Sequence, residues 1–210
     1  MRKIKFYSLF IFLVASLQIC AQKKYASPKP RLFLTIQDID RAKQQAATDV
    51  SVTPSIKKLK ADLKVNAQKW RKDFPAKNSG YTMKELFSKA KEKPSRPEFL
   101  TEATAFVLFP TEETAQILRE KILVELGIRK ALGSWRQLGI HESERLLRFI
   151  QAYDIVCETG LLSEKEKALC KEEIHNSARF LEAWTLENDL NVVYQGQTYC
   201  FNIKYFPAIM

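Results

Sequence analysis

The residues able to do chemistry are few and scattered. Near the carboxyl end, Tyr199-Cys-Phe-Asn202-Ile-Lys204-Tyr205 follows a long polar stretch, so Asn202 can cap an incoming helix or face a cleft, and Tyr199 and Tyr205 can pack or stack on a sugar ring. His141 lies beside Gly139 at the start of a helical segment and can face a cleft or stand exposed, whereas His175 in Glu172-Glu-Ile-His-Asn176 reads as solvent-facing. Arg145 and Arg148 can grip a sulfate or carboxylate, but Glu142 and Glu144 sit three and four residues ahead of them and can pair locally. Trp135, in a loop between Gly133 and Gly139, is a platform for a ring; Trp70 and Trp184 fall on apolar stripes and read as core. With two histidines and no cysteine spacing of metal-binding type, the sequence argues against a zinc site and no cofactor is expected. Cys157 and Cys170 flank a helix-helix turn, where a bridge and a buried thiol are both open.

The elements that position these residues are helical throughout. A first helix over Thr35 to Thr48 opens with Thr35 and Asp38 as a short capping box, leaving Leu32, Phe33 and Leu34 to pack against the helices that follow. Thr53 caps a second helix, with Pro54 in its first turn and an apolar stripe through Ile56, Leu59, Leu63, Ala67, Trp70 and Phe74, and Pro75 ends it. Thr82 and Glu85 form a capping box for a third, carrying Leu86, Phe87 and Ala90. A fourth, from about Glu98 to Phe109, buries Phe99, Leu100, Ala103, Phe106 and Val107, and a fifth follows Pro110-Thr111 with Ala115, Leu118, Ile122 and Leu126. The sixth, Glu142 to Cys157, presents Leu146, Ile150, Tyr153 and Cys157. Gly160 stops it, and Ser163 with Glu166 caps a seventh, antiparallel helix running through Ile174, Ala178, Leu181 and Trp184. Residues 188–197 read as loop, so the class is all-α.

The amino terminus carries an address. Arg2, Lys3 and Lys5 precede an apolar run from Phe6 to Leu17, shorter than a membrane span, and cleavage after Ala21 fits a signal peptide; lipoprotein anchoring at Cys20 is the alternative reading. The expected location is periplasmic or secreted, without stable membrane insertion. Charge is uneven: residues 22–100 hold 19 Lys+Arg against 8 Asp+Glu, and residues 101–210 hold 12 against 16. A basic front half attracts polyanions by long-range electrostatics or is a solvated face, and export argues against nucleic acid.

Two stretches carry a family likeness. Pro28-Lys-Pro-Arg-Leu-Phe-Leu-Thr35, a stiff strap ahead of a capped helix, resembles the opening of the heparinase II/III and alginate lyase group of polysaccharide lyases. Glu144-Arg-Leu-Leu-Arg-Phe-Ile-Gln-Ala-Tyr-Asp-Ile-Val156 followed by Thr159-Gly160-Leu-Leu-Ser163 looks like their recurring helix, glycine turn and Leu-Ser cap. The resemblance implies an α/α toroid, an open arc of antiparallel helical hairpins, and β-elimination at a uronic acid of an acidic polysaccharide. It assigns Asn202 as the carboxylate neutraliser, with Tyr199 and His141 as candidate proton carriers and Trp135, Arg145, Arg148 and Tyr205 as substrate-binding residues. Calcium or zinc often supports a later domain in that group, and the sequence offers no clear ligand set for either. Because Phe201 to Met210 is apolar and uncapped, the chain reads as the amino-terminal portion of such a toroid, inactive alone, with further helices and a β-rich domain beyond it. The alternative is a secreted helical scaffold that binds a glycan or peptide without catalysis.

Overall fold

The computed structural model describes residues 25–29, 32, 34–92, 96–132, 140–187, 191–194 and 197–200; the proposed leader, Cys20, Phe33, Trp135, Asn202 and Tyr205 lie outside them. The described residues form seven α-helices: α1 (Ile36–Thr48), α2 (Thr53–Asp73), α3 (Met83–Glu92), α4 (Leu100–Leu108), α5 (Glu112–Leu132), α6 (Ile140–Val156) and α7 (Glu164–Glu187). All seven expected helices are present. One addition corrects the reading of 188–197 as loop: β1 (Asn191–Tyr194) and β2 (Gln197–Cys200) pair antiparallel as a short hairpin, with Val192 opposite Tyr199. Val192-Val193-Tyr194 is too short to alternate detectably, yet its β-branched residues suit a paired edge.

Helix starts follow local hydrogen bonding. The Thr35 hydroxyl accepts from the Asp38 N–H at 3.1 Å while the Thr35 N–H donates to the Asp38 carboxylate at 2.9 Å. The same reciprocal pattern joins Thr82 to Glu85 and Ser163 to Glu166. Thr53 behaves differently: it is the first residue of α2 and not its cap, because a 3₁₀ turn over Val50–Val52, capped by Asp49, delivers the chain already wound. Gly160 takes φ +77° at the turn between α6 and α7, where a Cβ would be strained.

Glu85 links a cap to an acid response. A hydrogen bond from Lys77, then those from the Thr82 N–H and hydroxyl, hold its carboxyl at about 2 instead of the ordinary 4.5. A carboxyl lowered by folding stabilises the native state above its ordinary range and loses that contribution as pH falls through the folded value. The α3 start is therefore expected to fray as pH drops from about 4.5 to about 2. Titration of the Glu85 side chain by NMR checks this; a midpoint in the ordinary glutamate range would remove the expectation.

At the centre lies α5, in contact with α2, α3, α4, α6 and α7. Every residue from Glu120 to Arg129 is buried. Leu86, Ala103, Phe106, Leu118, Ile122, Leu126 and Phe149 form the heart of the core, each at most 1 % exposed. On α2 only Phe74, just past its end, is fully buried, and Ile56, Leu59, Leu63, Ala67 and Trp70 are half-covered. Leu32 and Leu34 depart from expectation as well, at 48 % and 38 % exposed. The strap is held instead by buried Pro28, by Tyr25 edge-on to Phe106 at 5.7 Å, and by its backbone.

Candidate functional site

A helix buried all round ordinarily carries apolar residues, because an unpaired charge in a low-dielectric interior is costly. Here α5 carries Glu120, Lys121, Glu125 and Arg129 into the interior, each at most 5 % exposed. Neighbouring helices supply partners. The Trp70 Nε1–H and Arg71 Nη1 both donate to Glu120 Oε2 at 2.8 Å, and Arg71 Nη1 also donates to the Phe74 carbonyl at 2.9 Å. Lys121 Nζ donates to Glu102 Oε1 and to the Glu98 carbonyl, both at 2.7 Å. Glu125 lies 2.9 Å from Arg129 Nε and 3.4 Å from Arg96, and the Arg129 guanidinium stands 5.6 Å from the centre of the Phe149 ring. Trp70 is half-buried rather than core, packed against the core's edge and stacked on Phe74 at 4.2 Å.

Around this ionic layer lie concave regions of ligand size. The largest described, about 620 Å³, sits where the strap, the loop before α3, the start of α5 and the α6–α7 turn meet, and its polar lining includes Tyr25, Asn78, Gln116, Arg119 and Glu166. Tyr25 donates its phenol to Glu112 Oε1 at 3.1 Å. Burial, then the Glu112 charge, pushes its pKa up to about 12, so at neutral pH it holds its proton and serves as a hydrogen-bond donor, not as a base. Arg119 donates through Nη1 to the Tyr81 carbonyl at 3.1 Å and pairs through Nη2 with Glu166, the same carboxylate that caps α7. Its charge is therefore compensated within the protein. Such a site can hydrogen-bond a hydroxyl-rich ligand.

Two further cavities flank α2. One, about 460 Å³, lies between α2, α4 and α5 and is lined by Lys64, Gln68, Arg71, Glu102 and Thr114 among others. The other, about 200 Å³, is bordered by Lys69, Trp70, Arg96 and Lys121.

Of the residues singled out by sequence, Arg145 and Arg148 lie on α6 and His175 on α7 among the described side chains. Arg148 is claimed by Glu98, at 2.7 Å, and by Glu144 one turn earlier on α6. Arg145 is half-buried on the same helix, and His175 is exposed on α7. His141 belongs to the first turn of α6 and Tyr199 to β2, but their side chains, like the whole of Trp135, Asn202 and Tyr205, fall outside the described residues. Cys157 and Cys170 are not bridged to one another; burial, then Glu166 and Glu173, pushes Cys170 up to about 12. Among the described residues no group of three or more His, Cys, Asp and Glu could hold a metal ion, and no helix is long and apolar enough to cross a membrane. Sequence reasoning passed over Tyr25 and the α5 charges; a signal for the latter was that Arg119-Glu120-Lys121 and Glu125 interrupt an otherwise apolar run from Ile117 to Ile128.

No protein-family model matches the chain, and no curated protein or solved structure matches it.

The strap is fastened by two backbone hydrogen bonds. Leu32 N–H donates to Asp154 Oδ2 at 3.1 Å, and Ala26 N–H donates to the Thr159 carbonyl at 3.0 Å. Replacing Asp154 with Ala is expected to lower stability by about 1–3 kcal/mol, the range for losing a hydrogen bond to a charged group. Proteolysis within residues 25–35 should accelerate more than global unfolding. Unchanged cleavage there would mean that the carboxylate does not hold the strap.

Proposed function

We propose that this chain is the helical part of an exported polysaccharide lyase-like protein acting on uronic-acid-containing glycans by β-elimination. The observation that carries the reading is the Leu32–Asp154 hydrogen bond, because it joins the two stretches whose sequences resemble the heparinase II/III and alginate lyase group: the strap and the helix ending in Ala152-Tyr153-Asp154. A likeness split across the chain gains weight when its halves touch. In this proposal the hairpins belong to an α/α toroid with an acidic polysaccharide against its inner wall.

Elimination removes a weakly acidic proton beside a carboxylate, so it needs donors that neutralise the carboxylate and a base within hydrogen-bond reach of the proton. Asn202 takes the first role in the proposal, with Tyr199 or His141 for proton transfer and Trp135, Arg145, Arg148 and Tyr205 for binding. Arg148 can contribute only by exchanging Glu98 or Glu144 for substrate. The test is incubation of the full chain, and of the complete gene product, with a panel of uronic-acid polymers while ultraviolet absorbance is followed. The full chain alone is expected to give a flat trace and the complete gene product a growing unsaturated-uronide signal on at least one polymer; a flat trace on all of them with the complete gene product rejects elimination.

A second reading, a scaffold that binds a glycan without cleaving it, is favoured by the chemistry of the 620 Å³ cavity, where Tyr25 keeps its proton and Arg119 is compensated by Glu166. It expects retention of the polymer with no new double bonds.

A further inference from the structure

The buried charges of α5 meet partners on other parts of the chain, whereas one helix carries a row of exposed positive charge. Across Thr53–Asp73, α2 carries six lysines and Arg71 against two aspartates. Elsewhere Lys77 pairs with Glu85, Lys121 with Glu102, Lys130 with Glu172 and Lys167 with Glu164. Among the described residues Lys57, Lys60 and Lys64 pair with none, and all three are exposed. Their spacing of three and four residues places them on one face of α2, and the same face continues through Gln68 to Arg71. At the helical rise this row is roughly 21 Å long. Lys60 is steadied over the Phe109 ring, 5.3 Å from its centre.

The row runs into the 460 Å³ cavity, whose wall holds Lys64, Gln68 and Arg71. Arg71 spends Nη1 on Glu120 and the Phe74 carbonyl, but its Nη2 is buried without a hydrogen-bond partner. Across the cavity Glu102 gives Oε1 to Lys121, while its Oε2 is buried without a partner on a side chain only 2 % exposed. A donor and an acceptor bordering one cavity, both unsatisfied, call for a ligand that supplies the complementary pair. An anionic oxygen suits Arg71 and a hydroxyl suits Glu102.

We infer that this α2 seam is a binding site for a polyanionic glycan, with carboxylate or sulfate groups ranged along Lys57, Lys60 and Lys64 and one sugar unit seated between Arg71 and Glu102. The hydroxyl requirement separates a sugar from a duplex nucleic acid, whose backbone offers phosphates alone to such a row. Glu113, on the opposite wall at the start of α5, repels an anion placed there and so confines the charged groups to the α2 side. The inference concerns binding and not elimination, so either can fail without the other.

The test uses the full chain with fluorescently labelled heparin, alginate oligomers and a DNA duplex of matched charge, by anisotropy at low and physiological salt. Binding to heparin or alginate is expected, and the comparison tells sulfate from carboxylate as the preferred group. The double variant Lys60→Glu/Lys64→Glu should bind about tenfold more weakly or worse. Lys130→Glu/Lys167→Glu, with the same change in net charge elsewhere, should shift affinity by less than about twofold. Gln68→Trp, which fills the cavity mouth and keeps every charge, should weaken the glycan as well. Absence of glycan binding, equal losses in the two lysine pairs, full affinity in Gln68→Trp, or DNA binding as tight as the glycan would each overturn the site.

Discussion

Replacing Lys121 with Met is expected to destabilise the protein by about 3–5 kcal/mol, the cost of leaving one partner of a buried ion pair alone. Methionine preserves most of the stem and deletes the ammonium, so lost packing contributes little. What remains is Glu102, 2 % exposed, without the group 2.7 Å from its Oε1, together with the Glu98 carbonyl, which also loses a 2.7 Å donor. Urea unfolding should show the midpoint falling at nearly constant slope. The companion variant Lys121→Met/Glu102→Leu is expected to recover most of the loss, because an apolar pair of similar size has no desolvation cost to offset. A single variant within about 1 kcal/mol of the parent would show that water reaches the pair, and would take with it the description of α5 as a buried ionic spine.

That spine shows where the sequence stopped being informative. The helices announce themselves because their causes are local: Thr35 with Asp38, Thr82 with Glu85 and Ser163 with Glu166 are three residues apart, and Gly160 supplies its positive φ alone. The depth of α5 has no local cause. Glu120 and Lys121 look like the wet side of an amphipathic helix until Trp70, 50 residues earlier, and Glu102, 19 residues earlier, are brought against them. Reading only the stripe Ala115, Leu118, Ile122 and Leu126 therefore found one wall of a helix that is enclosed on every side. The error on α2 runs the other way, since its regular stripe promised burial that the fold completes only at Phe74. For the site, Tyr25 was invisible because its partners Glu112 and Phe106 lie more than 80 residues on, in two helices still to be placed. Asn202 and Trp135 drew attention by residue type, and type says nothing of what a side chain will meet.

The second large effect is expected at Gly127, on the face of α5 that crosses α3. A Cβ built there would stand 2.8 Å from Phe87 Cδ1, 3.2 Å from Phe87 Cγ and 3.3 Å from the Ala90 Cβ. Helix propensity favours Gly127→Ala by up to about 1 kcal/mol, because glycine gives up more backbone freedom than alanine. The contacts oppose it. Phe87 is partly exposed and its ring can swing, but the Ala90 methyl is fixed to the α3 backbone, so relief requires the two helices to part. We expect Gly127→Ala to lose about 1–2 kcal/mol net and Gly127→Val, with two more carbons at the same crossing, about 3 kcal/mol. Phe87→Ala in the Gly127→Ala background removes the closer obstacle, and its coupling with Gly127 should be favourable by roughly 1 kcal/mol. The measurement is a thermal or urea double-mutant cycle. A higher melting temperature for Gly127→Ala would mean that α3 slides freely on α5, that propensity outweighs contact, and that the close crossing is not what fixes the position of α3 over the core.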